Sequence, residues 1–166
     1  MSGQVVTLDA LAEEVRAWQA RGETVGLANG VFELLHVGHV RYLTDAATFV
    51  DHLVVAVNSD TSARHHKGPG RPVVPDHERA ELLAALRAVE RVVIFESIDV
   101  VPVIEALRPD VHVKGTDYTP ETVPEAEAVK AYGGEVRIAG DPKDHASTEL
   151  LARAKSVGAV DDESSG

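Results

Sequence analysis

Residues 24–43 read TVGLANGVFELLHVGHVRYL, and the fold turns on how that stretch divides. Val25 to Ala28 is an apolar run of strand character that breaks at Asn29-Gly30, residue types suited to a tight turn. A short connector carries His36 and His39 around Gly38. Val40, Leu43, Ala46, Ala47 and Val50 then fall at helical spacing. The division is strand, loop and helix N-terminus, with both imidazoles beside that N-terminus. Exposed amides and the positive end of the helix dipole, about half a unit charge, attract phosphate at such a place. Gly38 lets a ligand approach the backbone with no Cβ in the way.

The same alternation extends in both directions. Upstream, Leu8, Leu11, Val15 and Trp18 share one helical face behind Thr7 as N-cap, so the spacing predicts a helix over 8–21. Downstream, HLVVAV at 52–57 suits a buried parallel strand that ends at Asn58-Ser59-Asp60. SARHHKGPGRPVVP, 62–75, is expected to be a flexible basic loop, and Asp76 to cap a helix ending near Ala88. Strands are predicted over 91–95, 110–113 and 135–138, and helices over 99–107, 125–131 and 147–156. The pattern predicts an α/β fold: a Rossmann-like, doubly wound parallel sheet of about five strands with helices on both faces. A single domain over 1–157 and a flexible acidic tail over 158–166 complete the expectation. Ligands of such sheets bind beyond the carboxyl ends of the strands. The informative residues are therefore 29–39, 58–67 and 114–118.

Composition sets limits. The chain has 166 residues, 44% of them hydrophobic, enough to fill a core without a metal or other staple. It has no cysteine, which excludes disulfides, thiolate metal sites and cysteine nucleophiles. A net charge of −11 argues against nucleic acid or anionic membrane as partner, so an anionic substrate needs a local cluster of positive groups. The N-terminus MSGQVVTLDALAEE is acidic and lacks a secretory apolar segment, and no run approaches a membrane span; a cytoplasmic location is expected.

Several residues carry more than one reading. His36 and His39 are phosphate donors, a pair of surface histidines, or half a metal site that lacks an obvious third ligand. Lys67, in a Gly/Pro-rich loop, and Lys114, directly after a strand, are mobile charges for phosphate or solvated surface groups. Arg64, His65, His66 and Arg71 share the neighbourhood of Lys67. Asp60 orients a substrate hydroxyl or caps a turn; Asp117 binds substrate hydroxyls or forms an Asx turn. Ser147 and Thr148 open the last helix, as a phosphate site or as a plain cap.

HVGH in this strand–loop–helix context resembles the cytidylyltransferase-like nucleotidyltransferases, whose mark is HxGH. NGVFELLHVGHVRYL, VAVNSD, KGPGRPVVP, ERAELLAAL, DVHVKGTDY, GGEV and Ser147-Thr148 resemble the sugar-phosphate adenylyltransferases of ADP-heptose synthesis, over roughly residues 24–155. The resemblance implies transfer of an adenylyl group from ATP, with Mg²⁺, to a sugar 1-phosphate, releasing pyrophosphate. It implies His36, His39, Lys114 and Arg79 as catalytic groups, Arg79 being otherwise a surface ion-pair partner for Glu78 or Asp76. It implies nucleotide contacts from Asn29, Gly30, Val31, Phe32 and Gly38, and from Lys67, Gly115, Ser147 and Thr148. Acceptor contacts are implied for Glu33, Asn58, Asp60, Asp117 and Tyr118. No protein ligand to the metal is implied, since Mg²⁺ rides on the nucleotide phosphates. A homodimer is implied, and any sugar kinase is expected to be a separate protein.

A more distant resemblance is to glycerol-3-phosphate cytidylyltransferase, which uses CTP; its arginine-led segment is not seen in GDPKDHAST. A nucleotide-binding module without turnover is the third alternative. Its motive is two departures from the family pattern: Glu33 where aspartate is usual, about 1.5 Å longer in reach, and Glu149 where a hydroxyl is usual. A redox Rossmann domain is disfavoured because no GxGxxG follows the first strand.

Overall fold

Strand and helix alternate along almost the whole chain. The computed structural model describes residues 4–142 and 147–163. The strands are β1 (Gln4–Val5), β2 (Val25–Gly30), β3 (His52–Asn58), β4 (Arg91–Phe95), β5 (Val111–Lys114) and β6 (Glu135–Ile138). The helices are α1 (Leu8–Ala20), α2 (Val37–Ala47), α3 (Asp60–Lys67), α4 (Asp76–Ala84), α5 (Val101–Leu107), α6 (Ala126–Lys130) and α7 (Ser147–Glu163). All pairings are parallel, in the order β1-β4-β3-β2-β5-β6. Chain order therefore reverses between β2 and β5, which opens a crevice beyond their carboxyl ends.

Each face of the sheet buries its own cluster. On one, Leu27, Val54, Ala56 and Val93 pack with Leu11, Val15 and Trp18 of α1, Val103, Ile104 and Leu107 of α5, and Val129 of α6. On the other, Ala28, Val55, Val57 and Val92 pack with Leu43 and Ala46 of α2 and Ala80, Leu83 and Ala84 of α4. The alternation of strand side chains assigns these two sets, and burial on both sides explains why the strands read as continuous apolar runs.

The doubly wound architecture is as expected, with several local differences. The sheet has six strands, because Gln4–Val5 pairs with β4; two residues are too few to show a period. Asn29 and Gly30 are not a turn but continue β2, paired with Ala56 and Val57. The basic segment after β3 is not all loop: residues 60–67 are α3, capped by Ser59, whose side chain accepts the Ser62 N–H. Asp76 does not cap its own helix, whose N-cap is Pro75. Its carboxylate instead accepts the Asp60 N–H at 2.9 Å, while Asp60 accepts the Asp76 N–H at 2.9 Å. Each acid thus satisfies the exposed amide of the other helix. Among the helices, α4 stops at Ala84 and α7 runs on to Glu163.

Candidate active site

The N-terminus of α2 is built from its own histidines. His36 is the N-cap, and its Nδ1 accepts the Gly38 N–H at 3.1 Å. His39 reaches back, its Nδ1 accepting the His36 N–H at 3.3 Å. Serine and glutamate usually form such a capping box; here two imidazoles do. The rings stack with centroids 3.9 Å apart, and the edge of Phe32 meets His39 at 5.2 Å. With Nδ1 accepting in both rings, each neutral imidazole carries its proton on Nε2. The helix end thereby presents a pair of oriented donors. Phe32 holds a left-handed φ of 48°, and a Cβ on Gly30 would meet its ring at 3.1 Å. Gly30 therefore makes room for Phe32.

These histidines line a pocket at the β2/β5 crevice. Of the residues singled out in the sequence, it gathers Asn29, Gly30, Val31 and Phe32 from the end of β2 and the following loop, with Glu33, His36, Gly38 and His39. Lys67 joins from the end of α3, Gly115 and Asp117 from beyond β5, and Thr148 from α7. Ser147 begins α7, and its side chain lies outside the described residues, as do residues 143–146.

Sequence reasoning missed a wall of this pocket formed by Arg41, Tyr42, Thr116 and residues 139–142. Thr116 Oγ1 donates to the Asp141 carbonyl at 3.0 Å, the Gly140 N–H to Asp45 at 2.8 Å, and Arg41 pairs with Asp141 at 3.3 Å. The Tyr42 hydroxyl donates to the Val113 carbonyl at 2.6 Å; burial and the nearby Glu125 push its pKa well above the usual phenol value. The loop after β6 is thus pinned to α2. The only signal in the sequence was Gly140, whose φ of +95° suits a residue without a Cβ.

Glu33 is buried, and Arg71 donates to both its carboxylate oxygens, from Nε at 2.5 Å and from one terminal nitrogen. That hydrogen bonding outweighs burial and holds the Glu33 pKa below the usual carboxylate value. The same guanidinium reaches Thr148 Oγ1 at 3.3 Å, so the loop of β2, the cis-proline loop and α7 meet at one cation. Glu149 is exposed and lies off the pocket wall.

Five sequence candidates do not line the pocket. Arg79 is no surface partner: it is 1% exposed and donates to the carbonyls of Val74, Val31 and Asn58 and to Asp60. Its fork ties the β2 and β3 loops together behind the site. Asn58 is buried against Ser62 at 2.9 Å, and Asp60 is spent on Arg79 and the α4 amide. The Lys114 ammonium sits on Glu125 at 3.1 Å with Asn29 Oδ1 at 3.4 Å, and Tyr118 covers it with its ring. Among the described residues no group of three or more His, Asp and Glu is placed to hold a metal ion, and no helix is long and apolar enough to cross a membrane.

A family model described as Cytidylyltransferase-like matches residues 27–155. Over 152 residues the chain is 46% identical to the bifunctional protein HldE of Geotalea uraniireducens, covering 92% of this chain and 31% of that protein. It is 49% identical over 146 residues to the bifunctional protein HldE of a Bradyrhizobium species, covering 88% of this chain and 30% of the relative. The chain spans less than a third of the length of these relatives. Among solved structures, the lipopolysaccharide core biosynthesis protein of Thermoplasma volcanium superposes with a TM-score of 0.61 at 30% identity. That match covers 74% of this chain and all of the other.

Proposed function

Because the chain belongs to the Cytidylyltransferase-like family, and is an enzyme of the nucleotidyltransferase class, we propose that it transfers an adenylyl group from ATP to a sugar 1-phosphate of the heptose kind. The products are an ADP-sugar and pyrophosphate. An oxygen of the sugar phosphate attacks the α-phosphorus, and the bond from that phosphorus to the bridging oxygen breaks as pyrophosphate leaves with its electrons. Such a displacement needs alignment and charge stabilisation more than covalent help from the protein. The observation that carries the proposal is the imidazole pair, tied through both Nδ1 atoms to the first amides of α2 on the pocket wall. Two Nε2–H donors and the helix dipole there favour the charge that builds on the phosphates. Lys67 and Arg71 add positive charge nearby. Glu33, the departure that argued for a silent module, has its charge matched by Arg71.

Mg²⁺ belongs to the proposal as the companion of the triphosphate; it is bound by phosphate oxygens, waters and one or two carboxylates rather than an all-protein cage. Asp117 and Asp141 are the carboxylates of the pocket wall besides Glu33. When bound, the ion neutralises charge on the leaving pyrophosphate. A homodimer and a cytoplasmic setting are part of the same proposal; light scattering in solution tests the first.

The test is pyrophosphate release from each of four NTPs against a panel of sugar 1-phosphates and polyol phosphates, with Mg²⁺. ATP with a heptose-like 1-phosphate is expected to give the highest kcat/KM. Preference for CTP and glycerol 3-phosphate would replace this assignment with the cytidylyltransferase one. ATP binding with no pyrophosphate across the panel would leave a binding module.

A further inference from the structure

His112, Glu125 and Lys114 form a buried polar group that the pocket wall does not include. His112 and Lys114 alternate along β5, so both side chains leave the same face of the sheet. The register sets Leu27 of β2 against His112, which brings Asn29 beside Lys114 on that face. Glu125, the N-cap residue of α6, closes over them. A single carboxylate oxygen, Oε1, accepts from His112 Nε2 at 2.9 Å and from Lys114 Nζ at 3.1 Å. Burial alone would raise the Glu125 pKa, but the His112 hydrogen bond and the Lys114 charge hold it at about 2.

His112 is fully buried, and its Nδ1 is the one buried side-chain nitrogen or oxygen without a hydrogen-bond partner among the described residues. An orphaned polar atom is destabilising, and an aliphatic residue would fill a strand interior without one. What the imidazole supplies is its other edge. Through Nε2, 2.9 Å from Oε1, the ring donates to Glu125. That bond fixes the carboxylate in place beside the lysine.

We propose that Glu125, braced by His112, is the positioning residue of Lys114. It holds the ammonium at the Asn29 edge of the pocket, and the lysine turns to phosphate oxygens once they compete with the carboxylate for it. The identity of those phosphates rests on the nucleotidyl transfer proposed above; the tether does not.

Two measurements separate the tether from the chemistry. In the first, acetylation by N-hydroxysuccinimide acetate is followed at Lys114 by mass spectrometry, against the exposed Lys130. Without a fixed carboxylate at position 125 the ammonium loses its hydrogen-bonded partner and swings free, so Lys114 is expected to react roughly fivefold to tenfold faster in Glu125→Gln and His112→Leu. His112→Gln, which keeps a donor near the Nε2 position, is expected to label at close to the wild-type rate. In the second, Glu125→Gln is expected to lower kcat about tenfold without raising the KM for ATP, because a negative charge near the phosphates is lost as orientation is lost. In a Lys114→Met background the same change is expected to add nothing. Equal Lys114 labelling in wild type and Glu125→Gln, or equal kcat loss in both backgrounds, overturns the proposal. If Glu125→Gln does not fold, His112→Leu against His112→Gln decides by the same labelling. Absence of wild-type turnover would reject the transferase assignment, while labelling still decides the tether.

Discussion

His36 serves the backbone through Nδ1 and the pocket wall through the rest of its ring, so a simple deletion confounds two losses. Asparagine separates them, because its amide oxygen is among the best N-cap acceptors but it has no Nε2–H. His36→Asn is expected to keep the thermal midpoint of the wild type while turnover falls on the order of a hundredfold, the usual cost of one transition-state donor. A parallel fall in both would mean that the ring matters only as a cap. Glu33 and Arg71 respond differently, because the carboxylate is buried. Arg71→Met strands that charge and is expected to cost on the order of 3 kcal/mol. Adding Glu33→Gln should recover most of it, as read from thermal melts. The Glu33 contribution is present above the ordinary carboxylate pKa and is lost as pH falls through its depressed folded value.

At the level of elements, the amino-terminal end of the sheet is closed by a charge clamp far from the chemistry. His52, which opens β3, stacks on Trp18 of α1 at 4.1 Å, with Glu90 at 2.6 Å from Nδ1 and Glu23 at 2.6 Å from Nε2. Burial works against the charged ring, but the two carboxylates outweigh it and raise its pKa. The stabilisation is therefore full below the ordinary histidine pKa of about 6.5 and is lost as pH rises through the folded value. Melting temperature should decline across that window, and His52→Gln should flatten the decline; an unchanged slope in the variant would remove the clamp from the account. The helix α3 teaches a different point. Its buried residues are only Ser62 and Ala63, so it shows no apolar stripe, and it stands on the Ser59 cap and the Asp60–Asp76 exchange. Periodicity had nothing to register there.

The whole molecule carries a net charge of −11, yet gathers Lys67, Arg41 and Arg71 around one helix N-terminus. Binding of a triphosphate there stabilises the native state by mass action, about 2.7 kcal/mol at a hundredfold excess over Kd. At roughly 2–4 °C per kcal/mol, Mg-ATP at such excess should raise the melting midpoint by roughly 5–11 °C. The shift should shrink in His39→Ala. Equal shifts from all four nucleotides would mean that the pocket reads phosphates and not the base.

The sequence by itself determined the alternation of strand and helix, the doubly wound sheet, and the histidine loop at a helix N-terminus. Those follow from local patterns: apolar runs, helical spacing and a glycine between two imidazoles. Tertiary structure alone decided which charges meet which. It buried Arg79 among carbonyls, set Arg71 on Glu33, placed Lys114 on Glu125, and folded residues 139–142 against α2. Those pairings join residues far apart in the chain, and a partner brought in by a crossover leaves no mark on the spacing of its neighbours. The local code names the edge where a ligand belongs; the packed sheet chooses the groups that reach it.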